Sequence, residues 1–458
     1  MDLQPKKKPG PPQVTDITLP QDYLEYFAVI AKQPYPFLLD SAIRDEASGR
    51  YSLMGSCPFM VLTSKGDRIT VRRGSRRSTI RGNPFDVLAE ILKNFRVPDP
   101  PRGISFPTGC VGYFGYDLCH FIEKLPRKAK DDLPFPDLFL AFYDRVVCID
   151  HVRKKVSLVS VDFGEKRIVS SPRKEVRPSA QTAFETVIDS NFTKEEYMAT
   201  VEKAKEQIAA GEIYQANLSQ RFHVRSSAHP FRIFRNLRQV SPAPYTAYLH
   251  FDDMAFISSS PELFLSLEGR KAVSRPIKGT RKRGRGKEED EALRKELLES
   301  GKDDAELSMI VDLVRNDIGR VSEYGSVNVP QPKILDSFPT VHHLSAVVEG
   351  KLRKEAGVVD LLKALFPGGS ITGAPKIRAM EIIDELEPTR RGPYTGAFGC
   401  IGFDGNANLA MSIRIVLCSG ENLYFQVGGG IVADSVPEQE YEETIVKAEG
   451  ILRSLELK

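Results

Sequence analysis

The stretch Arg275-Pro276-Ile277-Lys278-Gly279-Thr280 places a single lysine at the end of a short apolar strand, directly before a glycine turn. Partial desolvation lowers the pKa of an amine, and the neutral fraction is then a useful nucleophile. Lys278 is therefore a candidate nucleophile. The alternative is a solvated surface lysine that leads into the basic run 281–287, because most lysines face water.

Composition places the chain among ordinary globular proteins. It has 458 residues, of which 41% are hydrophobic and 27% charged, and its formal net charge is only +3. This balance gives no electrostatic case for nucleic acid or a membrane as the main partner. No apolar run reaches transmembrane length, and the first residues lack the apolar core of a secretory signal, so we expect a cytoplasmic protein. The six cysteines form no C-x-x-C pair, which favours reduced structural thiols.

The pattern along the chain divides it into four parts. Residues 1–13 are rich in Pro and Lys and are predicted to form a disordered tail. Residues 14–163 alternate short strands and turns, and 164–190 form a polar crossover or linker. The motifs described below lie in residues 191–458. Within the first region, the arginines from Arg72 to Arg81 predict a charged edge hairpin, with an anionic partner as the alternative.

Two features of the last region indicate where a site could form. Residues 214–224 alternate apolar and polar side chains, so Gln215 lies on the polar face of a predicted strand and either lines a site or meets water. The glycine-rich segment 367–376 leads into a predicted helix, and such a helix start suits a carboxylate or a phosphate. It is not a nucleotide-binding loop, because Ala374-Pro375 replaces the required Lys and Ser/Thr.

Several carboxylates are candidates for chemistry. Glu262 follows a proline at the start of an apolar strand, where a raised pKa would suit a general acid, although a single turn glutamate is ordinarily solvated. Glu306 lies in the first turn of a helix and either offsets the helix dipole or binds a metal. Glu440, Glu443 and Lys447 share one helical face, which is typical of a surface ladder of ion pairs. With Glu306, these acids would also suit Mg²⁺.

Five ordered segments of the chain resemble the chorismate-utilising enzymes. The resemblance covers residues 193–455 strongly and the first third more weakly, and it implies an α+β fold, a large antiparallel β-sandwich with helices packed outside. The segments are Gly211-Glu212-Ile213-Tyr214-Gln215-Ala216-Asn217-Leu218-Ser219, Ser260-Pro261-Glu262, Pro276-Ile277-Lys278-Gly279-Thr280-Arg281, Ile310-Val311-Asp312-Leu313-Val314-Arg315-Asn316-Asp317 and Ile371-Thr372-Gly373-Ala374-Pro375-Lys376.

The lysine form of the third segment is similar to the aminodeoxychorismate-forming branch of this family, since anthranilate synthases typically carry alanine at the position of Lys278. The resemblance implies that Lys278 adds at C2 of chorismate while the C4 hydroxyl leaves, and that ammonia then adds at C4 and expels the lysine. Glu262 would protonate the departing hydroxyl. Branches that add water at C2 resemble this chain but have a lysine base at the position of Gln215.

The same resemblance implies the remaining ligands of the site. Glu306 and Glu443 would hold Mg²⁺ on the ring carboxylate of chorismate, with Glu440 as an additional ligand. The positions that match substrate-binding residues are Gln215, Gly279, Thr280, His343, Thr372, Tyr394, Arg414, Gly429, Gly430 and Lys447. A glutaminase motif such as Gly-x-Cys-x-Gly is absent from the sequence, so we expect ammonia from a separate glutamine amidotransferase subunit in a heterodimer.

Two departures and two alternatives remain at this stage. Lys282 stands where a proline is common, and the segment Leu38–Ser41 is similar to the tryptophan pocket of relatives without deciding whether a ligand binds. Anthranilate synthase component 1 is the alternative within the family. The alternative outside it is a non-catalytic protein that binds anions or nucleic acid through its basic segments, and steeply salt-dependent binding without chorismate turnover would indicate it.

Overall fold

The computed structural model describes residues 3–43, 49–98, 106, 108–169 and 188–455. The α-helices are α1 (Tyr23–Ile30), α2 (Pro84–Asn94), α3 (Lys194–Ala209), α4 (Pro230–Val240), α5 (Lys287–Glu299), α6 (Gly301–Gly319), α7 (Val358–Leu365), α8 (Lys376–Leu386) and α9 (Pro437–Ser454), with short 3₁₀ turns at Tyr116–Phe121 and Gly369–Ile371. The strands are β1 (Gln13–Asp16), β2 (Phe37–Asp40), β3 (Tyr51–Gly55), β4 (Met60–Lys65), β5 (Arg68–Arg73), β6 (Arg76–Arg81), β7 (Gly109–Phe114), β8 (Leu138–Tyr143), β9 (Arg145–Asp150), β10 (Lys155–Ser160), β11 (Asp189–Ser190), β12 (Gln215–Arg225), β13 (Tyr245–Phe251), β14 (Met254–Ser260), β15 (Leu263–Glu268), β16 (Lys271–Arg275), β17 (Ile277–Lys282), β18 (Asn328–Ser337), β19 (Val341–Lys351), β20 (Gly373–Ala374), β21 (Ala397–Gly402), β22 (Ala407–Met411), β23 (Ile415–Ser419) and β24 (Asn422–Ile431).

Within the described residues, these strands form two 12-stranded sheets whose ladders are antiparallel. Sheet A has the order β1-β10-β9-β3-β2-β13-β14-β23-β24-β12-β11, with β20 also on β12. Sheet B has the order β17-β19-β16-β15-β22-β21-β7-β8-β4-β5-β6, with β18 also on β19.

The two sheets face each other through aromatic side chains. Phe256 of sheet A stacks on Tyr113 of sheet B with ring centroids 5.2 Å apart, and Phe251 stacks on Phe139 at 4.0 Å. Large aromatic rings contribute much of the apolar area that such an interface buries. The predicted α+β class and the large antiparallel β-sandwich with helices outside are confirmed.

Helices cover the outer faces of both sheets. On sheet A, α4 buries Ile233, Phe234 and Leu237 in a cluster that also contains residues of α1 and α9. On sheet B, α2, α6 and α7 bury their apolar stripes in another cluster. Each helix is amphipathic, so burying one face leaves the charged face in water. No helix in the described part of the chain is both long and apolar enough to cross a membrane.

The first third of the chain contributes strands to both sheets. β2 lies between β3 and β13, and β7 lies between β8 and β21. The residues before β1 also contact the body of the protein, where the composition predicts a disordered tail. Leu3 is buried in the sheet B cluster, and the Lys7 N–H donates to Phe163 O at 3.0 Å. The segment whose composition predicts disorder thus makes both an apolar contact and a backbone hydrogen bond with the body of the protein. Of the predicted linker 164–190, residues 170–187 lie outside the described residues.

Candidate active site

Lys278 lies in β17, which pairs with β19 on one edge of sheet B. The ladder shifts register between Lys278 and Thr280, where Gly279 adopts a φ of +79° that favours glycine. Lys278 is half-buried, and burial lowers its pKa, although the nearby Glu306 carboxylate opposes the shift. Glu262, Glu443 and Lys447 also act on it electrostatically. The lysine therefore lies among charged groups brought from several parts of the fold.

The amine of Lys278 and the amide of Gln215 both lie next to Gly430. A Cβ atom built on Gly430 would lie 2.1 Å from Gln215 Nε2 and 3.3 Å from Lys278 Nζ. Gln215 is 1% exposed, and neither end of its amide has a hydrogen-bond partner in the described part of the chain. A buried unpaired amide is costly, so this arrangement suits a ligand that supplies the missing hydrogen bonds. Of the two alternatives for Gln215, the structure excludes contact with bulk water.

The segment 428–430 belongs to β24, which continues to Ile431 and pairs with β12. A Cβ atom on Gly429 would lie 3.1 Å from Glu440 Oε2 and 3.7 Å from Glu443 Oε1. Gly429 therefore leaves room for the acids of α9, and Gly430 leaves room for the side chain of Gln215.

Glu262 lies between β14 and β15 and is 5% exposed. Ser370 Oγ donates to its Oε1 at 2.6 Å, and the backbone N–H of Ile277 donates to the same carboxyl group. Burial raises the pKa of Glu262 to about 7, because these bonds and the nearby Lys278 offset only part of the desolvation. The carboxyl group is therefore partly protonated near neutral pH, as a general acid requires.

Ser370 is a residue that sequence reasoning missed. The sequence marks the segment 367–376 as a potential anion site, and the structure instead uses its serine hydroxyl to bind a buried carboxyl group. The only signal in the sequence is a serine beside two glycines, which does not indicate its partner.

Thr280, two residues beyond Lys278 in β17, begins a chain of contacts that continues to His343 and Arg414. His343 Nδ1 lies 2.8 Å from Thr280 Oγ1, and His343 Nε2 lies 3.4 Å from Arg414 Nη2. Because a guanidinium only donates, Nε2 accepts and Nδ1 carries the proton that is donated to Thr280. Burial and the charge of Arg414 lower the pKa of His343 to about 3, so the ring is neutral.

Arg414 is a cation without a carboxylate partner among the described residues. Burial lowers its pKa to about 10, which still leaves it charged at neutral pH. A half-buried guanidinium with no internal counter-ion suits a ligand carboxylate, which it can bind with two hydrogen bonds.

The predicted metal ligands come from α6 and α9. Glu306 and Glu443 both act on the charge of Lys278. Glu443 pairs with Lys447 at 2.6 Å, and Lys447 also donates to Gly428 O at 2.9 Å. Glu440 is buried and accepts a hydrogen bond from Ser435 at 2.6 Å.

The donor chemistry of these acids fits Mg²⁺, which prefers carboxylate oxygens. However, no three Asp, Glu, His or Cys side chains in the described ranges lie close enough together to hold one ion. Among the described residues, at most two of these carboxylates can therefore bind the same ion. The remaining ligands of a magnesium ion would then be water or a ligand carboxylate, which is the usual coordination of Mg²⁺.

Thr372 and Tyr394 bond to the framework of the site. The hydroxyl of Thr372 donates to Gly368 O at 2.9 Å within its own loop. Tyr394 is buried in the core between the sheets, where burial raises the pKa of its phenol. The backbone carbonyl of Thr372 also accepts from the Asn217 N–H at 2.7 Å, which joins this loop to the strand that carries Gln215.

A buried ion pair that the sequence analysis did not identify holds the framework together. Arg391 is 1% exposed and pairs with Glu387 at 2.7 Å, and it donates to Asn217 O and Ile371 O. Glu387 in turn accepts from the Ser219 N–H and hydroxyl. The pair therefore ties β12, which carries Gln215, to the loop that carries Ser370. Pro388 interrupts the Glu-to-Arg spacing of four, so the sequence shows no helical ion pair there.

Comparison with known proteins gives one consistent result. A family model described as chorismate binding enzyme matches residues 45–453. Anthranilate synthase component 1 of Acetivibrio thermocellus is 40% identical over 92% of this chain and 90% of its own length. Aminodeoxychorismate synthase component 1 of Escherichia coli K12 is 38% identical over 97% of this chain and 99% of its own.

The solved structures agree with the sequence comparison. The crystal structure of anthranilate synthase component I from Streptococcus pneumoniae TIGR4 is 31% identical, with a TM-score of 0.77 over 89% of this chain and 93% of that one. The chain therefore belongs to the chorismate-binding enzyme family and is a chorismate-using enzyme.

Proposed function

We propose that the protein is an aminodeoxychorismate synthase, which converts chorismate and ammonia into 4-amino-4-deoxychorismate for the synthesis of para-aminobenzoate and folate. One observation carries this proposal. The half-buried amine of Lys278, whose pKa is lowered, lies next to Gly430 together with the unpaired amide of Gln215. It is within electrostatic reach of Glu262, whose raised pKa keeps part of its carboxyl group protonated. A nucleophile and an acid are thus available together.

In the first half of the reaction, the neutral amine of Lys278 forms a bond to C2 of the ring. The ring double bonds shift, the C4–O bond breaks, and the carboxyl group of Glu262 gives its proton to the departing oxygen. The hydroxyl then leaves as water, which avoids the poor leaving group hydroxide. A lysine nucleophile divides one difficult substitution into two easier steps.

In the second half, ammonia forms a bond to C4, the double bonds shift back, and the bond between C2 and Lys278 breaks. The amine leaves neutral, and the Glu262 carboxylate takes a proton from the new C4 ammonium group. Both residues thereby return to their starting states. The overall change is loss of water and gain of ammonia, with no net proton or electron required.

Gln215 supports addition of nitrogen over addition of water. An amide has no basic nitrogen, so it does not activate water at C2. Its buried and unpaired ends are free to hydrogen-bond chorismate and hold it against Lys278.

The charged groups around Lys278 provide the binding site for a dicarboxylate. Arg414 and Lys447 are the cations that we assign to the carboxylates of chorismate, with the backbone at 429–430, Gly279, Thr280, His343, Thr372 and Tyr394 completing the pocket. Glu306 and Glu443, assisted by Glu440, are the residues that would hold Mg²⁺, which would supply positive charge beside the ring carboxylate.

We further propose that ammonia comes from a separate glutamine amidotransferase subunit. The relatives from Escherichia coli and Acetivibrio thermocellus are both named component 1 of their synthases. The chain itself has no Gly-x-Cys-x-Gly segment that could supply a glutaminase nucleophile. A heterodimer follows from these two observations.

Anthranilate synthase is the second candidate, since the anthranilate synthase from Acetivibrio thermocellus is as similar to this chain as the aminodeoxychorismate synthase from Escherichia coli. The two activities differ in product, because anthranilate is aromatic and has lost pyruvate. Lys278 favours the first activity, since the anthranilate branch has no need of a lysine nucleophile.

The deciding experiment incubates the protein with chorismate, Mg²⁺ and ammonium and identifies the products by NMR. We expect 4-amino-4-deoxychorismate from the wild type and from Lys282→Ala, whose exposed lysine lies on the same strand. Lys278→Ala is expected to lose at least 100-fold in rate. Anthranilate as the product of the wild type, or full activity in Lys278→Ala, would overturn the proposal.

A further inference from the structure

A buried ion pair joins helix α6 to the start of helix α8. Lys376 is the first residue of α8, and its amine donates to the carboxylate of Asp317 near the end of α6 and to Leu365 O at 3.0 Å. The side chains of Lys376 and Asp317 are only 12% and 7% exposed, so both charges are largely removed from water. These two residues end two of the five motif segments found in the sequence, and neither takes part in the proposed reaction.

Burying these two charges costs more than their attraction returns. Burial lowers the pKa of Lys376, and the attraction of Asp317 offsets only part of that shift. Burial likewise raises the pKa of Asp317 against the opposing effect of Lys376. Arg320 and Glu123 are the other charged groups that act on the pair. A buried ion pair of this kind is better explained by the groups that it holds in place than by a gain in stability.

The ion pair closes the loop 366–375. Leu365 is the last residue of α7, directly before the loop, and Lys376 comes directly after it, so the hydrogen bond between them joins the two ends of the loop. The loop also approaches α6 closely in its middle, since a Cβ atom on Gly369 would lie 2.6 Å from Leu313 Cδ2. The ends and the middle of the loop are therefore held against the same helix.

The loop 366–375 supplies a hydrogen-bond donor to the proposed general acid. Ser370 Oγ donates to Glu262 Oε1 at 2.6 Å. Glu262, Ser370 and Asp317 line the same small cavity, whose volume of about 10 Å³ leaves room for no more than about one water molecule. The ion pair is therefore separated from the acid by one small cavity. Lys278 of β17 is the charged group that acts on Glu262.

We propose that Lys376 and Asp317 are positioning residues of the active site, because their ion pair fixes the loop 366–375 on α6 and thereby holds the hydroxyl of Ser370 against Glu262. Neither member of the pair belongs to the groups that we assign to the substrate, so its effect reaches the reaction through Ser370. This inference rests on the proposed function, in which Glu262 is the general acid.

The first test is the double variant Asp317→Ala/Lys376→Met, which removes both charges together and so leaves neither buried without its partner. Initial rates of chorismate consumption are measured, with a thermal melt to show that the variant is folded. We expect kcat to fall about tenfold, because a small displacement of a catalytic group costs that much or more, while the KM for chorismate stays at the wild-type value. Arg315→Met is the matched control, since it breaks an exposed ion pair with Asp312 on the same helix.

The second test separates positioning from a general loss of structure. The alkaline limb of the pH profile of kcat/KM should move upward in the double variant, because a displaced Ser370 no longer stabilises the ionised form of Glu262. Ser370→Ala removes that hydrogen bond directly and should move the limb in the same direction. When the double variant is combined with Ser370→Ala, no further movement is expected, since both changes act on one contact. Asp317→Asn, which keeps the shape of the side chain and removes its charge, gives the same comparison with the least change in packing.

Three results would count against these proposals. A folded double variant with the kcat and pH profile of the wild type would overturn the positioning role. A movement of the limb that is just as large in the Ser370→Ala background would also overturn it, because the pair would then act by another route. An unmoved profile in Ser370→Ala alone, or anthranilate as the product of the wild type, would instead overturn the proposed function.

Discussion

Glu262 shows how one buried carboxyl group can serve both as an acid and as a source of instability. The hydroxyl of Ser370, the Ile277 N–H and the charge of Lys278 all favour its ionised form, and burial opposes them. Burial wins, so the pKa rises from an ordinary 4.5 to about 7. The folded protein therefore holds this proton over a pH range in which the unfolded chain has released it.

The first prediction concerns stability and pH. Between about pH 4.5 and pH 7 the unfolded chain loses the proton first, so the wild type loses stability relative to Glu262→Gln as the pH rises through this window. At 1.36 kcal/mol per unit, the difference reaches about 3 kcal/mol. Denaturant unfolding of both proteins at pH 5 and pH 8 measures it. Glu268→Gln, an exposed position in β15, should show no such pH dependence. Equal effects of Glu262→Gln at both pH values would contradict the prediction.

The second prediction concerns the hydrogen bond from Ser370. A donor to the ionised carboxylate lowers its pKa, so Ser370→Ala should raise the pKa of Glu262 further. The fall in kcat/KM on the alkaline side should then move upward by roughly one pH unit, since a hydrogen bond to a charged group contributes about 1.5 kcal/mol or more. Ser274→Ala is the control, because this buried serine lies in the same small cavity without bonding to Glu262. An unmoved profile in Ser370→Ala would refute the assignment.

For single residues, the sequence predicted which kinds of side chain form the site better than it predicted their burial and their hydrogen-bond partners. The apolar neighbours of Glu262 suggested a raised pKa, and the structure agrees. The alternation around Gln215 identified a polar face, but it does not show that this face is buried in the folded protein. Ser370 was missed because its partner Glu262 lies 108 residues away along the chain. Arg391 was missed because Pro388 removes the helical pattern from its spacing of four to Glu387.

Strand β24 contains two glycines that lie very close to other atoms, Gly428 and Gly430. The atoms that they approach differ: a backbone oxygen in one case and the end of a side chain in the other. A Cβ atom on Gly430 would meet the far end of the Gln215 side chain, which can move. A Cβ atom on Gly428 would lie 2.4 Å from the backbone oxygen of Leu218, which cannot move without disturbing the ladder. Gly428 and Gly430, two residues apart on one strand, thus differ in what they serve: the first packing, the second the site.

The third prediction uses this contrast. Gly430→Ala should fold with a melting temperature within a few degrees of the wild type but lose at least tenfold in kcat/KM for chorismate, because the methyl group displaces Gln215 and crowds Lys278. Gly428→Ala should instead lose about 1–3 kcal/mol of unfolding free energy, as overpacking typically costs. Thermal melts and steady-state kinetics of both variants test this. Equal loss of stability in the two variants would show that Gly430 serves packing alone.

Elements defined by local signals were predictable, and their partners were not. The capping box at Thr193 and Glu196 fixed the start of α3, and both hydrogen bonds of the box are present. Strand pairing is non-local, as the contact of Val111 with Cys400 in the β7–β21 ladder shows. Nothing in either strand alone indicates the other, so the sandwich was predicted only through the resemblance to a family.

At the scale of the whole molecule, the two sheets bind the first third of the chain and the remainder into one folding unit. Every strand of the site lies after residue 190, but the sheets that hold those strands are completed by β2, β7 and their neighbours. The aromatic contacts between the sheets also join the two parts, since Tyr113 and Phe139 stack on Phe256 and Phe251.

The last prediction follows from this interleaving. Expressed alone, residues 188–458 would expose the pairing edges of β13 and β21 and the aromatic face that Tyr113 and Phe139 cover. Such edges promote association, and the missing core removes cooperativity. We expect this fragment to aggregate without a sharp thermal transition, and coexpression with residues 1–187 to restore both the transition and ammonium-dependent consumption of chorismate. A monomeric fragment with its own cooperative thermal transition would mean that the later region folds independently and does not need the first third of the chain for its stability.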